Sequence, residues 1–411
     1  MNVGLEWALS DSHIPSGQAS SQRQLAVSVS ALPAADSHRA PLNLCLVLDR
    51  SGSMGGSPLQ TVKQAARQVI DRLSPRDRIS IISFDHRAEV LVENQPVQDP
   101  AAIGQQLDKL RAGGGTAIDV GLKAGITEVA KGKQDAVSQI FLLTDGENEH
   151  GDNDRCLRLA QVATEYGLTL SSLGFGDHWN QDVLEQIADA GGGSLSYIQQ
   201  PEAAIATFSQ LFTRAQSVGL TNAYLTLSLL PGVRLAELKP VAQVLPETVE
   251  LAAILEANQA TVRLGDLMAK PRVVLVNFYI DQQPPGQQMI LQLQVQYDDP
   301  TQGATGLQSD LAFVQVLAQE YYQPTVNPEV QAHIFALAKY RQTQIAEFRL
   351  QAGDRQGALT LLQSAAQTAL QMGDQNAATV LQENVTRLQA GDELSARDRK
   401  KTRIVSKTQL Q

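Results

Sequence analysis

The sequence predicts an α/β domain with a doubly wound, mostly parallel sheet, joined to an antiparallel β-sandwich and a C-terminal helical module. Three observations support this prediction. Short apolar runs alternate with helical periodicity over residues 41–216, which is typical of βαβ units. Alternating strand patterns separated by turn residues then continue through 217–305. Residues 306–391 are rich in Ala, Gln and Leu and carry helical spacing.

Composition limits the function before any motif is considered. The chain has 411 residues, of which 43% are hydrophobic, and a formal net charge of −10. This length predicts two or three packed domains. The acidic balance argues against nucleic acid or an anionic membrane as the partner, since basic surfaces bind both. Two cysteines, Cys45 and Cys156, form neither a disulfide framework nor a zinc pattern.

Neither a membrane span nor a signal peptide is predicted. No stretch approaches the ~18 consecutive apolar residues that a transmembrane helix needs. Residues 1–10 contain no basic segment followed by an apolar run, so they do not have the pattern of a secretion signal. We therefore expect a cytoplasmic protein.

Residues 1–40 are predicted to form strands that pair with a distant part of the chain. Residues 24–30 alternate polar and apolar side chains, and residues 5–9 do the same. These strands would complete the sandwich that residues 217–305 begin. The α/β domain at 41–216 would then be an insertion between strands of that sandwich, which is permitted because the termini of a domain often lie close together.

The elements of the α/β domain follow from apolar runs and helical spacing. The predicted strands are 44–48, 79–84, 89–92, 140–143, 168–175 and 194–198. The predicted helices are 59–73, 103–110, 117–130, 155–166, 183–190 and 203–215. A sheet of this kind binds ligands at the carboxyl ends of its strands.

The predicted structure changes twice within the C-terminal half of the chain. Sandwich strands are predicted at 222–229, 248–255, 260–264, 273–280 and 289–297. Helices are predicted at 310–321, 328–352, 355–372 and 375–390, as a plain bundle or as hairpins of the tetratricopeptide kind. Residues 392–411 are polar and basic and are predicted to be a flexible tail.

Oxygen-bearing side chains collect where the α/β strands end. Asp49, Ser51 and Ser53 follow the first strand, so three oxygens can turn toward one point. The glycine-rich run 113–115 precedes Thr116, and Asp145 follows another buried strand. Hydroxyl and carboxylate oxygens suit a hard cation, above all Mg²⁺. Mn²⁺ takes the same ligands, and the sequence does not separate the two ions.

With these residues in this order, the sequence resembles the von Willebrand factor A family, also called the integrin I-like domain, over about residues 41–216. The metal-ion-dependent adhesion site of that family is Asp-x-Ser-x-Ser, a distant Thr and a distant Asp. The matching positions are Asp49, Ser51, Ser53, Thr116 and Asp145. The resemblance implies that both serines ligate the metal directly and that the threonine does so directly or through water. It implies that the two aspartates act mainly through waters and hydrogen bonds.

Other interpretations of these motifs have less support. The run 113–116 is not followed by the Lys-Ser/Thr of a phosphate-binding loop. Asp177, after the last main strand, lies either near the metal rim or in an ordinary loop. The acidic stretch 147–154 is either a solvated face or an element that shapes partner choice. No nucleophile–base pair accompanies the site, so we do not predict an enzyme.

The C-terminal tail suggests a phosphorylation site. Thr402 follows Lys400 and Lys401, as basophilic kinases prefer, and Val405 lies three residues beyond it. Forkhead-associated domains typically bind phosphothreonine with an aliphatic residue at that position. Thr408, after Lys407, is a second candidate, and the alternative is a basic tail that only aids solubility.

We therefore predict Mg²⁺-dependent protein–protein recognition by an adaptor or scaffold. A partner protein would supply a Glu or Asp carboxylate to the metal. One alternative is an accessory subunit of a separate MoxR-type or chelatase-type ATPase, since this chain has no Walker motif. Another is a signalling protein whose phosphorylated tail is bound by a forkhead-associated domain.

Overall fold

The computed structural model describes residues 2–33 and 39–407. The strands are β1 (Asn2–Leu9), β2 (His13–Pro15), β3 (Ser20–Leu32), β4 (Leu42–Asp49), β5 (Arg78–Phe84), β6 (Ala88–Pro96), β7 (Val137–Thr144), β8 (Thr169–Phe175), β9 (Gly192–Ile198), β10 (Val218–Leu229), β11 (Val233–Leu235), β12 (Val241–Leu245), β13 (Val249–Glu250), β14 (Ala253–Glu256), β15 (Gln259–Met268), β16 (Arg272–Asp281), β17 (Gly286–Asp299), β18 (Ala304–Gln308) and β19 (Ala312–Gln319). The helices are α1 (Ser57–Asp71), α2 (Pro100–Asp108), α3 (Ile118–Lys131), α4 (Asn153–Glu165), α5 (Gln181–Ala190), α6 (Ala203–Gln216), α7 (Pro328–Gln351), α8 (Arg355–Gln371), α9 (Gln375–Ala390) and α10 (Ala396–Lys407).

The α/β domain is the doubly wound fold that the sequence predicts. Its sheet has the order β6-β5-β4-β7-β8-β9, and every pairing is parallel except that of β5 with β6. Every residue of β4 and β7 is buried, because helices cover both faces of the sheet. Helices α1 and α6 pack on one face, and α3, α4 and α5 pack on the other.

Two sheets form the predicted sandwich, and their pairings are antiparallel except that of β2 with β19. One has the order β1-β3-β16-β12-β13, and the other has the order β14-β15-β10-β17-β19-β2. Their inner faces share one apolar core, which includes Val27, Leu227 and Leu293. The chain leaves the sandwich after β3 and returns to it at β10, so the α/β domain is inserted between these strands. Residues 2–32 therefore belong to the sandwich.

The helix predicted at 310–321 is wrong, because this segment is strand β19. Val314 and Val316 are buried while Phe313 and Leu317 are partly exposed, and this period of two is typical of a strand. β19 pairs with β17 on one side and with β2 on the other. The sandwich thus continues to Gln319, past the predicted boundary at 305.

The helices predicted at 328–352, 355–372 and 375–390 correspond to α7, α8 and α9. Each begins with a side-chain cap, since Asn327, Asp354 and Asp374 accept hydrogen bonds from the first-turn amides of these helices. Gly353 and Gly373 adopt positive φ angles of 80° and 75°, which end the preceding helices. The two Gly-Asp pairs therefore act as stop and start signals. Helix α7 also packs on the sandwich sheet that contains β3 and β12.

The predicted flexible tail is also wrong over most of its length, because residues 396–407 form α10. This helix packs against α7 and α9, and Lys400, Ser406 and Lys407 are buried. Basic side chains of α10 form ion pairs with acidic side chains of α5. These contacts hold in place a segment that the sequence alone predicts to be exposed to solvent. Thr408 lies outside the described residues. Among the described helices, none is both long enough and apolar enough to cross a membrane.

Candidate metal centre

The candidate site lies at the carboxyl edge of the α/β sheet, where β4 and β7 end side by side. Leu48 is in register with Leu143, so Asp49 lies beside Thr144 and close to Asp145. Parallel neighbours bring these residues together although they are far apart in sequence. Side chains from two strands and from the loops that follow them therefore lie together at this edge.

Asp49 is fully buried and hydrogen-bonded on both carboxylate oxygens. One oxygen accepts from the Ser51 amide at 2.7 Å, and the other accepts from the Thr144 hydroxyl at 2.5 Å. Burial raises the pKa of Asp49 to about 6, and the nearby Asp145 adds to the rise. The bonds to Thr144 and Ser51 only partly offset these effects.

Ser51, Ser53 and Asp145 form a chain of short polar contacts. The Ser53 hydroxyl donates to Asp145 Oδ1 at 2.7 Å, and the Ser51 and Ser53 hydroxyls lie 3.0 Å apart. A single 3-10 turn, Gly52–Met54, follows Ser51 and is held by the buried Met54. Burial raises the pKa of Asp145 as well. Ser53 is exposed, so the cluster opens to solvent.

The glycine-rich run positions Thr116 at the same edge. Gly113 donates to the Arg50 carbonyl at 2.8 Å, and Gly52 donates to the Gly114 carbonyl at 3.0 Å. A side chain at 115 would fail, because a Cβ there would lie 2.0 Å from the His150 ring. Thr116 is buried, and a Cβ on Gly146 would approach its hydroxyl oxygen to 3.0 Å. The Thr116 hydroxyl therefore lies beside the segment that carries Asp145.

The structure brings four of the five predicted site residues into one hydrogen-bonded cluster and places the fifth, Thr116, next to it. Sequence reasoning missed Thr144, although its position just before Asp145 at the end of a buried strand signals it. It also missed Asn148, whose side chain accepts from the Ile118 amide at 2.7 Å and so fixes the start of α3 after Thr116. Asp177 is not in this cluster and instead accepts a hydrogen bond from the Tyr197 hydroxyl.

The donor set fits a hard divalent cation. All five side chains carry oxygen atoms that can bind a hard cation, and no basic side chain among the described residues neutralises the two carboxylates. Within residues 2–33 and 39–407, no lysine or arginine forms an ion pair with Asp49 or Asp145. The described residues also contain no group of three His, Cys, Asp or Glu side chains placed for a metal, because hydroxyls provide three of the donors here.

Comparison with known proteins identifies the family and the fold of the chain. Over 412 residues the chain is 59% identical to the uncharacterized protein sll0103 of Synechocystis sp., covering 100% of this chain and 98% of that protein. The chain belongs to the Sll0103 family. The von Willebrand factor type A domain matches residues 43–211, and the Sll0103-like C-terminal alpha-helical domain matches residues 328–411. Domains of the first kind generally mediate protein–protein interaction, and they commonly bind a divalent metal at the adhesion site.

Two solved structures share the whole architecture of this Sll0103 relative. A von Willebrand factor type A protein from Catenulispora acidiphila has a TM-score of 0.84 at 18% identity, covering 99% of this chain and 97% of its own. The ArnB paralog VWA2 from Sulfolobus acidocaldarius has a TM-score of 0.60 at 17% identity, covering 98% of each chain. At these identities the likeness establishes the fold. The sandwich, the inserted α/β domain and the helical domain therefore form a recurring arrangement.

Proposed function

We propose that this protein recognises partner proteins through a Mg²⁺ ion held by Asp49, Ser51, Ser53, Thr116 and Asp145. In this proposal the protein is an adaptor, and the partner contributes a glutamate or aspartate carboxylate. Mn²⁺ would occupy the same oxygen ligands. The proposal refines the general role of von Willebrand factor A domains by naming the residues, the ion and the chemistry of the partner.

One observation carries the proposal. Asp49 and Asp145 are buried close together, and within the described residues neither forms an ion pair with a basic side chain. Two such carboxylates repel each other and are costly to bury unless a cation neutralises them. The surrounding hydroxyls orient these carboxylates but supply no charge. In this proposal a divalent ion supplies that neutralising charge.

The mouth of the site supports a protein ligand. Ser53 and Gly52 are exposed, so one side of the cluster faces solvent rather than a closed cavity. A metal with two acidic neighbours stays electrophilic toward one further carboxylate when its other ligands are neutral hydroxyls. The side chains of the cluster hold and orient one another through hydrogen bonds. The arrangement supports binding.

The test is a pull-down from native lysate with wild type and Asp49→Ala, each with Mg²⁺ and with EDTA. We expect a partner that is retained only by wild type with Mg²⁺. Asp71→Asn is the matched control, since Asp71 is an exposed aspartate of the same domain. Identical partners in every sample would contradict the proposal and would direct attention to the helical domain.

The two alternative functions stay predictions. An accessory role beside a separate MoxR-type ATPase requires a partner that the sequence does not name. A forkhead-associated reader requires phosphorylated Thr402, whose hydroxyl donates to the Asp398 carbonyl and accepts from the Asn384 amide. A kinase would therefore reach Thr402 only after α10 leaves its packed position.

A further inference from the structure

Helix α10 of the C-terminal helical domain holds a loop of the α/β domain, residues 176–180, which follows strand β8. The buried Lys400 ammonium of α10 donates to the Asp177 carbonyl at 2.6 Å and to the Trp179 carbonyl at 3.0 Å. It also lies 4.1 Å from the centroid of the Trp179 ring, which is a cation–π contact. One side chain of α10 therefore fixes both the backbone of this loop and its aromatic ring.

The loop is also tied to itself and to strand β9. The Trp179 indole N–H donates to the Gly176 carbonyl at 2.7 Å, and the ring contacts Tyr197 edge to face with 5.5 Å between centroids. The Tyr197 hydroxyl donates to the Asp177 carboxylate. These contacts join the ring and the backbone of 176–180 into one unit, to which Lys400 connects α10.

The Trp179 ring lies in a row of side chains that leads to the metal centre. Leu48 is in register with Leu143 and Thr144 with Gly174, so Asp49, Thr144 and Gly174 form one row across β4, β7 and β8. Neighbours in such a row point to the same face of the sheet.

Trp179 occupies the side-chain position that Gly174 leaves open, since a Cβ on Gly174 would lie 2.2 Å from the ring. The ring is thus next in the row to Thr144, whose hydroxyl donates to the Asp49 carboxylate at 2.5 Å. Movement of the ring would therefore change the packing beside the residue that orients Asp49.

The same loop is also close to the second aspartate of the centre. Burial raises the pKa of Asp145, and the nearby His178 acts weakly in the opposite direction. Burial lowers the pKa of Lys400, and Asp177 and Glu147 partly offset this. Glu147 lies two residues after Asp145. Loop 176–180 and the Lys400 ammonium therefore adjoin the segment that carries Asp145.

We propose that Lys400 is a positioning residue of the metal centre, because it fixes loop 176–180 beside Asp49 and Asp145 in the arrangement that binds Mg²⁺. This inference rests on the proposed metal site and identifies the part of the chain that regulates it. Coupling between two sites is reciprocal, so Mg²⁺ would also stabilise the docking of α10. An event that releases α10 would lower the affinity of the site for Mg²⁺.

The test is calorimetric titration of the full chain with MgCl₂, comparing wild type with Lys400→Met. Methionine keeps an apolar stem against the Trp179 ring but cannot donate to the two carbonyls. We expect Lys400→Met to bind Mg²⁺ at least about fivefold more weakly, the lower end of typical couplings between sites. Loss of a positive charge would by itself strengthen cation binding. A weaker affinity would therefore report the position of the loop.

Lys407→Met is the matched control, since Lys407 lies in the same helix and pairs with Glu185 and Asp189 of α5. It should lower the free energy of unfolding but leave the affinity for Mg²⁺ within about twofold of wild type. An equal loss of affinity in the two variants would show that the docking of α10 as a whole is responsible, and would overturn the assignment to Lys400.

Amide hydrogen exchange measures the same coupling from the side of the loop. In wild type, Mg²⁺ should slow exchange in residues 176–180 and in α10, and Lys400→Met in EDTA should exchange faster than wild type at 176–180. Exchange in the central strands β4 and β7 should match wild type, which verifies that the variant is folded.

Two failures can be told apart. Equal Mg²⁺ affinities of wild type and Lys400→Met, or exchange at 176–180 that Mg²⁺ leaves unchanged, would overturn this inference and leave the proposed metal site intact. Absence of Mg²⁺ binding to wild type would overturn the metal site and this inference together.

Discussion

The two ends of strand β4 each hold a fully buried aspartate, and their surroundings differ. Asp49 stands at the carboxyl end, and Asp77 packs against the amino end, where it accepts from the Leu42 amide at 2.8 Å. Asp77 also accepts from the Ser74 amide and hydroxyl at 2.8 Å and from Arg39 at 2.6 Å. Among the described residues, Asp49 accepts from Ser51 and Thr144, and neither of these carries a positive charge.

The pKa values of these two groups shift in opposite directions. Burial favours the neutral form of Asp77, but its hydrogen bonds and Arg39 outweigh burial and lower its pKa. Burial raises the pKa of Asp49 to about 6, since its two hydrogen bonds do not compensate. Two equally buried aspartates therefore differ because the donors and charges around them differ. Asp77, with fixed donors and a cation, is structural, whereas Asp49, without a cation among the described residues, is available for the metal site that we propose.

The largest expected effect is on metal binding at the Asp49 end. Asp49→Asn removes half of the acidic charge and should weaken Mg²⁺ binding about 10- to 100-fold, measured by calorimetric titration. Asp77→Asn should leave the affinity for Mg²⁺ unchanged, because it alters the opposite edge of the sheet. Equal Mg²⁺ affinities of wild type and Asp49→Asn would remove the distinction between the two aspartates.

The second expected effect is on the free energy of unfolding, and here Asp77→Asn should have a larger effect than Asp49→Asn. Asp77→Asn should lower the free energy of unfolding by about 2 kcal/mol, because it leaves buried amides and Arg39 without their full acceptor. Asp49→Asn in EDTA should cost less, since it relieves repulsion with Asp145. Urea unfolding of both variants in EDTA measures this. A larger loss for Asp49→Asn would show that Asp49 is the structural acid.

The third effect is the pH dependence of that stability. The pKa of Asp77 lies below its ordinary value of 3.8 in the folded protein, so below that value the unfolded chain binds more protons. The stability that Asp77 supplies is present above pH 3.8 and is lost as pH falls through the folded pKa. The difference in unfolding free energy between wild type and Asp77→Asn should therefore be constant above about pH 5 and shrink below about pH 4.

The exposed Asp71→Asn variant is the control for this pH series. Its difference from wild type should remain small throughout. A difference for Asp77→Asn that grows as the pH is lowered would contradict the direction of the pKa shift.

The smallest effect concerns a third group of acids, which basic residues of α10 neutralise. Lys407 contacts Glu185 at 2.6 Å and Asp189 at 2.8 Å, and Arg403 also pairs with Glu185. Lys407→Met should cost about 1.5 kcal/mol of unfolding free energy, because Arg403 still offsets part of the charge. Lys401→Met should cost less than about 0.5 kcal/mol. Equal effects in denaturant unfolding would mean that α10 is not held by this ion pairing.

The sequence was sufficient for the candidate site because its signals are local. Asp49, Ser51 and Ser53 lie within five residues, and the strand before them is an unbroken apolar run. The parallel register then places Asp145 beside them. The sequence analysis missed Thr144 because a threonine at the end of a strand is common. Its contact with Asp49 becomes visible only when the neighbouring strand is known.

The segments that were mispredicted depend on distant partners. Residues 312–319 carry alanine and glutamine, which suggested a helix, yet pairing with β17 and β2 makes them a strand. Residues 396–407 are basic and polar, which suggested a mobile tail. Glu185 and Asp189 on α5, more than 200 residues earlier, provide the charges that allow α10 to pack.

The sequence by itself predicted the α/β domain, the sandwich and the three capped helices α7–α9, and it proposed five oxygen-bearing residues for the candidate site, four of which share one hydrogen-bonded cluster. Apolar periodicity, capping residues and short motifs encode these features within a few residues of chain. Only the tertiary structure decided the docking of α10 and the strand state of 312–319. Each of those depends on which distant side chains share a surface, and local sequence contains no information about that choice.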